Sequence, residues 1–355
     1  MGKGAIQLAG RRNAYFDVLR VLAILLVVFN HLPGYLLYQT CSGLKAWAYM
    51  LLTMFTRINV PLFLMVSGAL LLGKEESTSR LIKHRVSRIV AVTVLFSALC
   101  YFLKAEDPTL GGFFRGLLGG GIEGSYWFLY AYLGMLLLLP FLRFVAVRLG
   151  RGELRYLLIL HLIVATIVPM ASYTVAVLTG DGLSVNLSLP LATTKQLFYP
   201  LVGYYLGRVL TIDELTWKRV GALCIASLAG MLVSSGFTYY QGMTTGYTQD
   251  FVQLFDWVSA IAVFVLVRFV FEGGISLERR APRACRAFTF LGPLTFGVYL
   301  FDPLLKRYLY GGVSAALEPL LPTLLVSFAW CLVSFVLGCT LTFLLKRVPG
   351  FRAIL

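Results

Sequence analysis

Runs of about 20 mostly apolar residues follow one another along the whole chain, separated by short polar or basic stretches. Ten such runs stand at 18–38, 46–73, 86–104, 126–148, 156–178, 187–209, 219–240, 251–272, 288–310 and 320–345. A helix needs about 20 apolar residues to cross the hydrocarbon core of a bilayer. The pattern therefore predicts an all-α, polytopic membrane bundle of about ten transmembrane helices. Arg11 and Arg12 precede the first run as they would in a signal peptide. That run is too long for a signal's apolar region and no small-x-small cleavage site follows, so it reads as a retained span. No repeat of fixed period and no low-complexity tract divides the chain. One membrane domain, 13–345, lies between a basic N-terminus, 1–12, and a tail, 346–355.

Composition sharpens this reading. Of the 355 residues 59% are hydrophobic and 13% charged, against about 25% charged in an ordinary soluble domain. A soluble globule cannot hide so much apolar surface, and disorder and collagen are excluded too. The formal charge of +15 raises the question of a nucleic-acid partner. Its distribution answers differently. Most Lys and Arg fall in alternate loops, at 74–88, 143–155, 208–219, 268–286 and 346–352, on the side of Lys3, Arg11, Arg12 and Arg20. That is the positive-inside pattern of a multi-pass cell-membrane protein with cytoplasmic N- and C-termini, and no nucleic acid is expected. Lys306 and Arg307 depart from it, near the outer end of the ninth run. The six cysteines show no metal-ligand spacing and read as small buried hydrophobes; no metal is expected.

With no room for a soluble catalytic domain, chemistry must use residues within or at the ends of the spans. Ionisable groups inside a membrane are functional candidates by default. Arg20 and His31 lie eleven residues apart in the first run, close to three helical turns, so they share a face about 16 Å apart. On its own, this pair also reads as an interfacial anchor and a satisfied histidine. Asp302 in the ninth run lies at the depth of His31, about 20 Å from the inner surface. Two readings stand for it: orienting the His31 imidazole as in a catalytic triad, or pairing with Lys306 one turn on. Arg57 and Asn59 precede Pro61, which breaks the helical ladder. Backbone groups freed inside a membrane must face protein or water. That suggests a cavity entered from outside; a kinked helix packed on Ser67 and Gly68 explains the residues equally well.

At these residues the chain resembles the acyltransferase 3 family of ten-helix bacterial membrane acyltransferases, the surface-polysaccharide O-acetyltransferase type. The resemblance runs from about Asn13 to Leu345. It rests on the Arg20-x10-His31 pattern with Asp17 before it, VPLFLMVSG (60–68), KHRVSRI (83–89), SYWFLYAYLGMLLLLP (125–140), FYPLVGYYLGR (198–208) and FGVYLFDPLL (296–305). One departure is Asp302 after Tyr299-Leu300-Phe301, where many members carry His before the proline.

The resemblance implies transfer of an acyl group, usually acetyl, from cytoplasmic acyl-CoA to a hydroxyl of an envelope glycan or lipid-linked sugar at the outer face of a bacterial inner membrane. Acetyl-CoA is then a co-substrate, and no bound cofactor is expected. His31 would carry the proton or relay the acyl group, and Arg20 would face the donor. Arg85 and Arg88 are candidates for the CoA phosphates, which suit arginine forks. Positive-inside anchoring also explains both. On the outer side Arg57, Asn59, Glu123, Trp127 and Tyr130 are acceptor-binding candidates; the aromatic residues fit an interfacial belt too.

Gly119–Gly124 formally spells a dinucleotide-binding G-x-G-x-x-G, but no strand precedes it. His161, in the apolar stretch LILHLIVA, reads as a packing residue and His84 as a loop residue. The rival function is a transporter or exporter of a glycan precursor or small solute, which midplane charges and broken helices also fit. No inverted repeat is visible between the halves.

Overall fold

A computed structural model describes residues 13–180, 187, 189–246 and 254–355. Arg11, Arg12 and the start of the expected run at 251 lie outside them. Every element among the described residues is helical. In chain order they include α1 (Ala14–Asn30), α2 (Gly43–Thr56), α3 (Asn59–Leu71), α4 (Thr78–Lys104), α5 (Leu110–Gly119), α6 (Gly124–Leu137) and α7 (Leu139–Val147). Then follow α8 (Arg151–Thr179), α9 (Lys195–Tyr204), α10 (Trp217–Thr245), α11 (Asp256–Glu272), α12 (Pro282–Leu317), α13 (Thr323–Leu345) and α14 (Pro349–Ile354).

Among the described residues six helices are long and apolar enough to cross a membrane: the α2–α3 stretch taken as one, α4, α8, α10, α12 and α13. Two bent pairs raise the number to eight. The remaining two expected runs form α9 and α11, and α11 has 17 residues. Isolated Leu, Ile and Phe side chains on α4, α10 and α13, such as Leu103, Ile225 and Leu332, stay exposed, as expected where the solvent is lipid.

Prolines set where the helices break. The first run is not one straight span. α1 stops at Asn30, three residues later Pro33 opens a 3-10 turn to Thr40, and the axis bends by 55°. Proline disfavours helical conformation in the residue before it, and Leu32 is extended. The interruption expected at Pro61 falls instead at Arg57–Ile58, and Pro61 sits in the first turn of α3. A first-turn residue has no helical acceptor for its N–H, so proline loses nothing there. The run 126–148 splits into α6 and α7 with a 59° bend, Pro140 again opening the second half.

Small residues set how closely helices pack. A Cβ on Gly68 would lie 2.0 Å from the Pro200 carbonyl oxygen, and one on Gly203 2.1 Å from that of Met65. α3 and α9 therefore cross backbone to backbone, the close approach small residues permit in membranes. Gly297 leaves room for the Thr342 side chain, and a Cβ on Gly338 would lie 2.9 Å from the Val298 Cα. That crossing of α12 with α13 sets Asp302 opposite Ser334.

A candidate active site joining a histidine–carboxylate pair to a basic mouth

A cavity of about 1040 Å³ runs inside the bundle. His31, Arg57, Asn59, Ser67, Trp127 and Tyr299 line one part of it; Arg20, Glu76, Arg80, His84, Arg85 and Arg88 line another. Arg20 and His31, set on one face by their spacing, thus meet the same space.

His31 caps the C-terminus of α1. Its Nδ1 lies 2.7 Å from Asp302 Oδ2. Asp302 is 1% exposed, and its Oδ1 accepts a 3.0 Å hydrogen bond from Ser334 Oγ. Of the two readings left open for Asp302, the geometry has the contact with His31. Lys306 turns elsewhere and donates to the main-chain oxygen of His31. Asp302 and Lys306, one turn apart on α12, therefore hold the side chain and the backbone of one residue. A ring nitrogen facing a carboxylate carries the hydrogen, which leaves a lone pair on Nε2 of the neutral ring.

Around this pair, Arg57 Nε donates to the Tyr35 hydroxyl at 2.5 Å and Asn59 Oδ1 accepts from the Val60 N–H at 2.5 Å. Tyr299 donates to the Ser125 carbonyl at 2.6 Å. The structure does not bring Glu123 or Tyr130 to the cavity wall. Glu123 accepts from Lys104 and from Ser125 Oγ, and Tyr130 donates to the Leu117 carbonyl at 2.7 Å. Gly68 serves the α3–α9 crossing instead.

At the basic part, Arg20 Nη1 donates to fully buried Asp17 at 2.9 Å. Arg85 Nε donates to Glu76 Oε2 at 2.9 Å, and Arg143 Nη2 reaches the same oxygen at 3.1 Å. Burial pushes the Glu76 carboxyl up, but the hydrogen bonds from Arg85 and Arg143 outweigh it and hold it below the ordinary glutamate value. Arg88 donates to the main-chain oxygens of Ile354 and Leu355 at 3.0 and 2.7 Å.

Sequence reasoning missed Tyr35, Glu76, Lys195, Ser334 and the place of His84 on the wall. Glu76 had a signal, an acid among loop cations. Ser334 had none: it is one serine in an apolar run, and only the α12–α13 crossing makes it a partner.

An imidazole backed by a buried carboxylate can accept a proton, and a basic mouth can hold an anionic substrate. Together these define a membrane protein with the means for group transfer. The chain matches the profile of the acyltransferase domain family Acyl_transf_3 over residues 13–344, and it belongs to that acyltransferase 3 family. It is also similar to nodulation protein NolL of Sinorhizobium fredii (strain NBRC 101917 / NGR234), 31% identical over 140 residues. That alignment covers 37% of this chain and 36% of the relative, so the likeness spans about a third of either. No solved structure matches.

Proposed function

We propose that the protein is a membrane O-acyltransferase. It moves an acyl group, acetyl in the simplest case, from cytoplasmic acyl-CoA to a hydroxyl of an envelope glycan or lipid-linked sugar. In this reading the chain crosses a bacterial inner membrane ten times with both termini inside. One observation carries it: a single cavity connects the His31–Asp302 pair with the basic cluster of Arg20, Arg85 and Arg88.

The acceptor oxygen attacks the thioester carbonyl as its proton passes to His31 Nε2, the usual role of a histidine base. The C–S bond then breaks, and the imidazolium returns the proton to the departing CoA thiolate. Asp302 keeps the Nδ1 hydrogen in place throughout and offsets the transient positive charge. Arginines at the mouth hold the phosphates of CoA. Arg57, Asn59, Trp127 and Tyr299 face the acceptor on the other side.

Labelled acetyl incorporation into envelope glycan in cells carrying His31→Ala tests this. Loss is expected, and wild-type incorporation would end the proposal. Purified protein incubated with labelled acetyl-CoA separates it from a transporter, which consumes none.

A further inference from the structure

One acid stands on the cavity wall at the basic end, and electrostatics alone argues against its being there. Glu76 shares the wall with Arg20, Arg80, Arg85 and Arg88, where a carboxylate repels any anion that enters. Its bonds suggest what it does. Arg143, which is not on the wall, donates from Nε to the Leu71 carbonyl, from Nη1 to the Glu76 carbonyl and from Nη2 to Glu76 Oε2, each at 3.1 Å. Glu76 is thus gripped by both main chain and side chain. The same Oε2 accepts from Arg85 Nε at 2.9 Å.

Arg85 is held at one end only. Among the described residues its two Nη groups have no protein acceptor, while its side chain lines the cavity. Its neighbours differ. Arg88 uses Nε and Nη2 on the carbonyls of Ile354 and Leu355, and Arg20 uses Nη1 on Asp17. A guanidinium fixed at Nε with both Nη ends open presents the planar fork that takes a phosphate in two parallel hydrogen bonds. Fixing it beforehand removes part of the entropy a free arginine side chain loses on binding.

We propose that Glu76, clamped by Arg143, is the positioning residue that presents Arg85 to a phosphate of the donor. This rests on the reading above that the donor is an acyl-CoA. The two ideas about Glu76 differ in sign. If its charge merely opposes anions, Glu76→Gln tightens CoA. If it positions Arg85, the same isosteric change weakens CoA despite removing a negative charge.

The experiment measures CoA binding to the full chain in lipid nanodiscs, with Tm recorded for each variant. Glu76→Gln is expected to raise the Kd for CoA about tenfold, roughly what loss of one hydrogen bond to a charged group gives. KM for acetyl-CoA rises with it and kcat stays. Arg143→Gln weakens CoA several-fold in the same direction. In an Arg85→Ala background Glu76→Gln brings no further loss, because there is no guanidinium left to position. Should Glu76→Gln fold poorly, Arg143→Gln, alone and in the Arg85→Ala background, carries the test. CoA bound equally or more tightly by Glu76→Gln, or losses that add in the double variant, overturn the inference and leave the donor reading standing. A wild-type protein that binds no CoA overturns both.

Discussion

Two histidines sit within the apolar spans and have opposite surroundings. His161 on α8 is 6% exposed, lies face to face with Phe198 at 3.8 Å, meets Trp257 edge-on and has Nδ1 2.5 Å from the Ala192 carbonyl. It borders no part of the large cavity. His31 has a carboxylate where His161 has a carbonyl, and open space where His161 has aromatic rings. Its side chain is 27% exposed. A carbonyl fixes a neutral ring but does little to offset a proton on it. A buried carboxylate does both, and the cavity lets a reacting group arrive. The same residue type is thus packing in one helix and a candidate for chemistry in another, and partner and access make the difference.

The comparison breaks if the two positions respond alike. His31→Ala is expected to have the largest effect, lowering acyl transfer about 10²–10⁴-fold, the range proton transfer by a positioned side chain contributes. Acetyl incorporation measured per folded molecule checks it. Asp302→Asn is expected to cost about 10²-fold, since the ring keeps a neighbour but loses the charge that stabilises its protonated form. Unchanged activity with lowered stability would leave Asp302 a packing role only. Ser334→Ala removes one hydrogen bond to that carboxylate, and about tenfold or less is expected in the same assay. His161→Leu should leave turnover per folded molecule at the wild-type level and lower stability by about 1 kcal/mol, read from thermal unfolding in detergent. A loss of turnover there would erase the contrast.

The helical spans were legible because each is a local property. Twenty apolar residues in a row report their solvent whatever the rest of the chain does. Arg20 and His31 were legible as a pair for the same reason, being on one helix at a spacing near whole turns. Contacts between helices were not. Asp302 had two plausible partners from sequence, since a depth match across 271 residues and an i+4 neighbour on its own helix look equally good. Glu123 and Tyr130 looked available for a ligand because loop and interface residues all do; Lys104 and the Leu117 carbonyl occupy them. The bends were half legible. Pro61 announces a break, but proline tolerates the first turn of a helix, so it marks where α3 begins and the interruption lies before it; the bends that open at Pro33 and Pro140 fall inside runs that read as single spans.

By itself, then, the sequence determined the medium, the helical class, the family pattern and the axial order of charges along the first span. Only the tertiary structure decided that His31 meets Asp302 and not a lipid tail, that Glu76 grips Arg85, and that one cavity reaches both. Hydropathy and helical period act between near neighbours in the chain. Partners and cavities depend on how whole helices cross, and those crossings are fixed by close contacts such as Gly68 on Pro200 that no local pattern announces.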